Sequence, residues 1–297
     1  MLGDDFSYGA RPAHPALAMR STRTMISLLG VASLAAALVA LVAAVRLLEP
    51  RMAFFPNPGE SRTPRDFGVD YEPVSIATRD GEQLRGWWLR PPSPTATILY
   101  FHGNGGNLSM WAPILADIAR RGYAMLAFDY RGYGLSTGRP SEQGLYRDVD
   151  AVVDYFSRDT SSVRPRVYWG RSLGVVMAAY GSTTGSPDGL VLESGFPSAR
   201  SLLRGSPVLF VLSFLSSYRF PSAEFLRGRT RATPVLVLHG DDDHIVPIQQ
   251  GRALYELTSE PKQFVAIRGG DHNDATPVDP ATYWQAVNRF VAGMPRQ

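Results

Sequence analysis

The stretch from Arg166 to Ala178 constrains the fold of this chain more than any other, and it reads Arg-Val-Tyr-Trp-Gly-Arg-Ser-Leu-Gly-Val-Val-Met-Ala. Its first residues are β-branched and aromatic, which predicts a buried strand, and the residues that follow Ser172 suit a helix. The join is Gly170-Arg-Ser-Leu-Gly174, a pattern typical of a sharp turn that holds the serine side chain clear of the backbone. The turn crowds the positions two before and two after the serine, so glycine is needed at both. Ser172 is therefore a candidate nucleophile.

The chain around this turn alternates between predicted strands and predicted helices. Strand patterns lie at residues 96–101, 124–130, 189–193, 234–239 and 263–268, and helix patterns at residues 110–121, 141–158, 248–257 and 281–292. This alternation implies right-handed crossovers and a mostly parallel sheet with helices on both faces. Two earlier strands, residues 71–78 and 83–90, are joined by a turn and would add an antiparallel edge. We expect an α/β fold.

Residues 25–45 carry no charge and form the most apolar run of the chain. As a helix with a rise of about 1.5 Å per residue, this run would span about 31 Å, the thickness of a bilayer core. A buried helix should show a polar face, whereas this run offers only Ser27, Ser33 and small residues. Cleavage of a signal peptide after Ala37 would leave an apolar N terminus. We predict an uncleaved transmembrane helix, preceded by a polar, disordered tail of residues 1–24.

The charges that flank this helix bear on its orientation. Arg20 and Arg23 precede the run and Arg46 and Arg51 follow it, so the positive-inside rule is nearly balanced. A short basic tail before a first apolar segment usually stays in the cytoplasm. The favoured arrangement is a single-pass membrane protein whose bulk lies on the extracytoplasmic side.

Composition excludes several other classes of function. The chain has no cysteine, and therefore no disulfide, no thiolate nucleophile and no thiolate metal site. The net charge of +3 comes from scattered arginines, which does not indicate a nucleic-acid-binding surface. The loop Gly103-Asn-Gly-Gly106 lacks the residues of a phosphate-binding loop. No metal or organic cofactor is implied.

A serine hydroxyl needs a base beside it, and that base needs an acid to orient it. His272 lies directly after the last predicted strand, where it can reach back over the sheet, and we predict that it is the base. The other four histidines have plainer roles: His14 in the tail, His102 holding a glycine-rich loop, His239 at the end of a buried strand and His244 on a loop.

The acid comes from one of two places at the ends of neighbouring strands. Asp243, in the run Asp241-Asp-Asp243, precedes Ile245-Val-Pro247, which should turn into the core and fix the loop. Glu193, at the end of the preceding strand, is the alternative acid. The chain order Ser172, Asp243, His272 is the one expected of this architecture, and loops at the carboxyl ends of parallel strands would bring the three side chains to one edge of the sheet.

Acyl hydrolysis also needs donors for the oxyanion, each of which lowers the barrier by about 3 to 4 kcal/mol. The amide of Leu173, directly after the candidate nucleophile, is one predicted donor. The amide of Asn104 is the other, because the glycines around it let the backbone approach a substrate closely.

One insertion, residues 201–230, interrupts the alternation. Its run Pro207-Val-Leu-Phe-Val-Leu-Ser-Phe-Leu215 is very apolar but too short to span a bilayer. It is most simply interpreted as a helix packing on the domain. A lid, an acyl-binding wall or a segment at the membrane surface are the alternatives.

Five stretches together resemble the α/β-hydrolase superfamily and, within it, the membrane-anchored Bem46-like and ABHD13-like serine hydrolases. They are Phe101-His-Gly-Asn-Gly-Gly-Asn107, Phe128-Asp-Tyr-Arg-Gly-Tyr-Gly-Leu-Ser136, Gly170-Arg-Ser-Leu-Gly174, Leu238-His-Gly-Asp-Asp-Asp-His-Ile-Val-Pro247 and Gly270-Asp-His-Asn273. The resemblance runs from about residue 52 to the C terminus and implies an α/β-hydrolase fold. It departs from the group at Arg219-Phe-Pro-Ser222, where relatives often carry an acidic residue in place of the proline.

The resemblance also implies roles for individual residues. Ser172, Asp243 and His272 match the catalytic triad, and Asn104 and Leu173 match the oxyanion positions. Asp129 and Arg131 match a structural segment in which an internal ion pair is expected.

The resulting hypothesis divides the chain into a tail (1–24), a transmembrane anchor (25–45) and a hydrolase domain (46–297) that carries the cap-like insertion (201–230). Under this hypothesis the protein is a serine hydrolase that cleaves an ester or thioester of a small-molecule or lipid-like acyl substrate. A peptidase or amidase using the same triad, and a catalytically silent membrane-tethered binding protein, are the alternatives.

Overall fold

The computed structural model describes residue 9 and residues 15–159, 161–229, 232–273 and 277–294. It divides into two compact units, Met1–Leu47 and Leu48–Gln297. Most of the tail predicted for residues 1–24 lies outside the described residues.

The first unit contains most of helix α1, which runs from Pro15 to Ala53 and ends inside the second unit. Its part Leu28–Ala53 is long and apolar enough to cross a membrane, with a mean hydropathy of 2.6 in its most apolar window. The helix begins at Pro15 rather than at residue 25, so the disorder expected for residues 15–24 is wrong. Proline suits a first helical position, and the Ala-Leu-Ala-Met that follows has high helix propensity.

The second unit is built on one eight-stranded sheet. Its strands are β2 (Glu72–Ala77), β3 (Gln83–Leu89), β4 (Ala96–Phe101), β6 (Tyr123–Phe128), β7 (Arg166–Arg171), β8 (Gly189–Glu193), β9 (Val235–Gly240) and β10 (Lys262–Ile267). They lie in the order β10-β9-β8-β7-β4-β6-β3-β2. A separate two-stranded pair joins β1 (Phe55–Pro56) to β5 (Gly105–Gly106). Strand β3 pairs antiparallel with both β2 and β6, and the other neighbours of the large sheet pair parallel. The predicted α/β fold with an antiparallel edge is confirmed.

Helices cover both faces of this sheet. They are α2 (Leu108–Arg120), α3 (Glu142–Arg158), α4 (Leu173–Thr184), α5 (Ala199–Leu202), α6 (Pro207–Leu212), α7 (Ser222–Arg227), α8 (Ile248–Glu256) and α9 (Pro280–Ala292). The apolar core forms two clusters, and the adjacent residues Trp87 and Trp88 belong to different ones. This division follows because successive side chains of a strand point to opposite faces of the sheet.

The apolar run after Pro207 forms a short helix, as interpreted from the sequence, but one face of that helix is exposed. Helix α6 is short, and Val208 and Val211 on its surface are exposed, as is Phe214 just beyond it. The two valines lie three residues apart and therefore share one face of the helix. That face lies on the surface of the second unit and contributes nothing to its core clusters.

The expected internal ion pair forms with partners from outside its segment. Arg131 pairs with Asp80 and Asp148, with donor–acceptor distances of 2.8 Å to each. Asp129 instead accepts a hydrogen bond of 2.9 Å from the amide of Leu108, the first residue of α2. The unpaired amides and the positive end of the helix dipole favour a carboxylate at that position.

Candidate active site

The turn between β7 and α4 holds Ser172 in a strained conformation, with φ 54° and ψ −116°. Its amide donates to the carbonyl of Glu193 over 2.8 Å, which ties the turn to the neighbouring strand. A Cβ at Gly170 would lie 2.1 Å from the carbonyl oxygen of Gly174, and a Cβ at Gly174 would lie 1.9 Å from that of Phe101. Only glycine fits at either position. The serine backbone stores about 1 to 3 kcal/mol of strain that the surrounding contacts must offset.

The three side chains of the predicted triad meet at the carboxyl ends of β7, β9 and β10. His272 Nε2 lies 3.0 Å from Ser172 Oγ, and His272 Nδ1 lies 2.8 Å from Asp243 Oδ2. A proton on Nδ1 donates to the carboxylate and leaves the lone pair of Nε2 facing the serine hydroxyl. The arrangement can therefore draw a proton from Ser172 toward the imidazole.

Asp243 is buried and fully engaged. Its Oδ1 accepts from the amide of Val246 over 2.7 Å and from the amide of Ile245 over 3.0 Å, and Oδ2 faces His272. Burial alone would raise the pKa of Asp243, but contacts from His239 and His272 and the Val246 amide hold that pKa well below its usual range. The acid therefore stays ionised at neutral pH, as a partner of an imidazolium must.

The structure does not bring Glu193, the alternative acid, to the imidazole of His272. Its carboxylate accepts from Arg171 Nη1 over 2.7 Å, from Trp169 Nε1 over 3.0 Å and from the hydroxyl of Tyr283 over 3.1 Å. Burial, and then the charge of Glu193, raise the pKa of Tyr283 well above its usual value, so its hydroxyl remains a donor. Both carboxylate oxygens of Glu193 are thus occupied by groups other than histidine.

Arg171 is a site residue that sequence reasoning missed. Its Nη2 donates to the backbone carbonyl of His272 over 3.0 Å, while its Nη1 pairs with Glu193. Its ion pair with Glu193 could have been predicted from the pairing of the two strands, because Arg171 and Glu193 lie opposite each other on β7 and β8. Two opposite charges at adjacent positions of neighbouring strands predict an ion pair. The contact to the histidine loop could not be read from either strand.

The two predicted oxyanion donors are the amides of Asn104, on a loop held by other groups, and of Leu173, the first residue of α4. Within the described part of the chain, neither the Asn104 amide nor the Leu173 amide donates to a protein acceptor. The side chain of Asn104 donates to the carbonyl of Ala53 over 2.7 Å and accepts from the hydroxyl of Tyr133 over 2.8 Å. Leu173 opens α4, so its amide lies at the positive end of the helix dipole.

The other described histidines, His102, His239 and His244, make no contact with Ser172. His102 Nδ1 lies 2.7 Å from the carbonyl of Gly103, in the loop that it was expected to hold. His239 is buried at the end of β9 with Nε2 2.7 Å from the carbonyl of Val246. The side chain of His244 is exposed. Among the described residues, no group of three or more His, Asp or Glu side chains has the geometry to hold a metal ion.

Comparison with known proteins gives consistent matches. A family model described as the alpha/beta hydrolase fold matches residues 96–188. The Saccharomyces cerevisiae protein YNL320W, described as an uncharacterized membrane protein, is 36% identical and aligns over 77% of this chain and 82% of its own length. The protein bem46 of Schizosaccharomyces pombe is 32% identical over 77% of this chain and 79% of its own.

Solved structures show the same fold. The Pyrococcus furiosus esterase Pf2001 superposes with a TM-score of 0.66 at 21% identity, covering 81% of this chain and 98% of its own. At that sequence identity the superposition shows a shared fold and nothing about function.

Proposed function

Because the chain belongs to the α/β-hydrolase family, in the group that includes Bem46, we propose that it is a membrane-anchored serine hydrolase. Its substrate would be a carboxylic ester or thioester with a lipid-like acyl group. The observation that carries the proposal is the continuous contact from Ser172 through His272 to Asp243. Family membership supports hydrolase activity in general, and the contact supports a serine mechanism in particular.

The first half of the proposed reaction forms an acyl-enzyme. His272 Nε2 accepts the proton of Ser172 as Oγ bonds to the substrate carbonyl carbon, and the carbonyl π electrons move onto its oxygen. The amides of Leu173 and Asn104 would donate to that oxyanion. When the tetrahedral intermediate collapses, the bond to the leaving oxygen or sulfur breaks, and the imidazolium returns the proton to it.

The second half repeats these steps with water as the nucleophile. His272 takes a proton from water, the hydroxide adds to the acyl carbon, and Ser172 leaves with the returned proton. Asp243 stabilises the imidazolium in both halves, because its lowered pKa keeps the carboxylate charged. The strained turn at Ser172 supports this chemistry, because it keeps Oγ clear of the backbone.

The proposal is tested with a fluorophosphonate probe, which reacts with activated serines. The full-length protein should be labelled, and Ser172→Ala should not. Turnover of matched ester, thioester and amide substrates then separates an esterase or thioesterase from a peptidase or amidase. A protein that the probe does not label and that turns over none of the three would instead be a binding protein.

Membrane anchoring is tested separately. We expect the full-length protein to remain in the membrane pellet after alkaline carbonate extraction, since Leu28–Ala53 can span a bilayer. The chain has no native cysteine, so one introduced on the hydrolase domain can report its side of the membrane through an impermeant maleimide. Labelling from outside intact cells would support the extracytoplasmic orientation.

A further inference from the structure

An exposed apolar patch lies on the insertion between β8 and β9. It consists of Val208, Leu209, Val211 and Phe214, whose exposed fractions are 68%, 37%, 64% and 59%. Four large apolar side chains exposed within so short a stretch are unusual for a surface that faces only water. Such a surface is typical of a site that contacts another apolar phase or molecule.

The segment that follows the patch is fixed to the end of helix α1. Glu49 accepts hydrogen bonds from the hydroxyl of Ser216 over 2.7 Å and from the amide of Ser217 over 2.9 Å. The ring of Phe54 meets those of Tyr218 and Phe220, with centroids 5.5 and 6.0 Å apart. The segment that follows the patch is therefore held by the residues at the end of α1, which are the first residues of the second unit.

A second carboxylate fixes the same segment from the side of α3. Glu142 is buried and accepts from the amide of Arg219 over 2.6 Å and from the amide of Phe220 over 2.7 Å. Charge-assisted bonds to backbone amides are among the stronger contacts available to a loop. Held at Ser216–Ser217 by one carboxylate and at Arg219–Phe220 by another, the base of the patch has a defined position.

The end of α1 and the residues after it also expose apolar side chains. Leu48, Met52 and Phe55 all belong to the second unit and are exposed. They follow or overlap the stretch that is apolar enough to cross a membrane. Where a spanning helix leaves a bilayer, the next residues of the chain lie at the membrane surface, and so do the elements bound to them.

The same part of the chain contacts the predicted oxyanion loop. The carbonyl of Ala53 accepts from the side chain of Asn104, and strand β1, Phe55–Pro56, pairs with Gly105–Gly106. Residues 49–56 thus touch the patch-bearing insertion on one side and the loop of Asn104 on the other. The loop that carries the predicted oxyanion donor Asn104 is therefore in direct contact with the end of α1.

A cation at the edge of the patch suits a phospholipid surface. The guanidinium of Arg200 lies 4.1 Å from the ring centroid of Phe214, and Arg200 is exposed. An arginine beside inserted apolar side chains can bind lipid phosphate while the apolar side chains enter the acyl region.

We propose that the patch enters the lipid leaflet at which α1 ends, and that the acyl substrate reaches Ser172 from that leaflet. This inference rests on the proposed function, because it takes α1 as a membrane anchor and Ser172 as the nucleophile. The occupant of the patch is the bilayer. A second copy of the chain and a protein partner are outcomes that the test below would reveal.

The contact is measured with a fluorophore, since a chain without cysteine accepts one label at a chosen site. Val211→Cys carries the environment-sensitive dye NBD in the patch. Ser186→Cys is the matched control, because Ser186 is exposed just before the amino end of β8, whereas the insertion follows the carboxyl end of that strand. Both full-length proteins are reconstituted into vesicles of phosphatidylcholine and phosphatidylglycerol, with or without lipid that carries a doxyl quencher on its acyl chain.

We expect NBD at residue 211 to emit at shorter wavelength and to be quenched by the doxyl lipid, and NBD at residue 186 to show neither change. Equal quenching at the two sites would overturn the proposal. A shift to shorter wavelength at residue 211 without quenching would also overturn it, because a protein surface would then cover the patch.

The functional consequence is measured with the triple variant Val208→Ser, Val211→Ser, Phe214→Ser. Apolar side chains that enter the acyl region hold the protein at the lipid surface, so we expect turnover of a long-chain ester in vesicles to fall by about tenfold or more. Turnover of a soluble short-chain ester should stay unchanged, and Val208→Leu, Val211→Leu, Phe214→Leu should keep both activities. Equal loss on both substrates, or loss on neither, would contradict the proposal.

These results separate the present inference from the proposed function. If fluorophosphonate labels Ser172 but the doxyl lipid does not quench NBD in the patch, the membrane contact is refuted and the hydrolase function stands. A quenched patch on a protein that neither reacts with fluorophosphonate nor turns over esters would do the reverse.

Discussion

The guanidinium of Arg171 donates a hydrogen bond over 3.0 Å to the backbone carbonyl of His272. The residue directly before the candidate nucleophile therefore also holds the loop of the candidate base. Its other end is fixed by the buried ion pair with Glu193, so three strand ends are joined through one side chain. Arg171 thereby fixes the distance between the turn that carries Ser172 and the loop that carries His272.

Arg171→Lys should lower kcat by between about 10- and 100-fold and leave KM nearly unchanged. Lysine can pair with Glu193 but cannot also reach the carbonyl of His272, and a small displacement of a catalytic group has a cost of this size. Ester kinetics of the variant check this, with Arg166→Lys as the control at the other end of β7. A KM effect without a kcat effect would contradict a positioning role.

Asp243→Asn should lower kcat by about 10⁴-fold, because asparagine cannot hold the tautomer that the serine requires. Glu193→Gln should lower kcat less than about tenfold but reduce the free energy of unfolding by about 3 to 5 kcal/mol, because it leaves Arg171 buried without its counterion. Ester kinetics and thermal unfolding of the two variants separate the roles. The opposite pattern would make Glu193 the acid.

Ser172→Gly and Ser172→Ala should both lose more than about 10³-fold of kcat. They should differ in stability, since the φ of 54° is free of strain only for glycine. We expect the glycine variant to have a free energy of unfolding about 1 kcal/mol above that of the alanine variant. Identical melting temperatures would show that the turn is not strained.

Gly174→Ala should reduce the free energy of unfolding by more than about 3 kcal/mol, because its Cβ would overlap the carbonyl of Phe101. Gly205→Ala is the matched control, since a Cβ there meets nothing within 4 Å. Thermal unfolding compares the two. An unchanged melting temperature for the first variant would mean that α4 can move away from β4.

The pKa of Asp243 gives a stability effect with a defined sign. It lies well below the value of about 3.9 found in unfolded chains, so the folded protein gains stability from the ionised carboxylate. That gain is complete above about pH 5 and is lost as the pH falls below about 4 toward the folded pKa. The difference in free energy of unfolding between wild type and Asp243→Asn should therefore shrink on acidification. A difference that grows below pH 4 would reverse the assignment.

The arrangement of the sheet was predictable because the signals for it are local. The strands of the large sheet and the long helices have recognisable periodicity or caps of their own, as Ser141 does for α3 by accepting from the amide of Gly144. Ser172, Asp243 and His272 could be chosen from their positions after strands, because parallel strands bring their carboxyl ends to one edge.

The features that could not be predicted from the sequence depend on contacts between distant parts of the chain. Hydrophobicity alone cannot say whether the run after Pro207 faces a core or another phase. The ion pairs of Arg131 with Asp80 and Asp148 join elements far apart in sequence. The hydrogen bond from Arg171 to His272 likewise requires the path of a loop that no periodicity specifies.

The contacts of residues 49–56 bear on where the second unit can be separated from the long apolar helix. A protein trimmed to begin after Pro56 would lack the carbonyl that holds Asn104, the strand that lines Gly105–Gly106 and the carboxylate that fastens the insertion. The shortest stable version should therefore start at or before Leu48, because the end of α1 supplies contacts both to the loop of Asn104 and to the insertion.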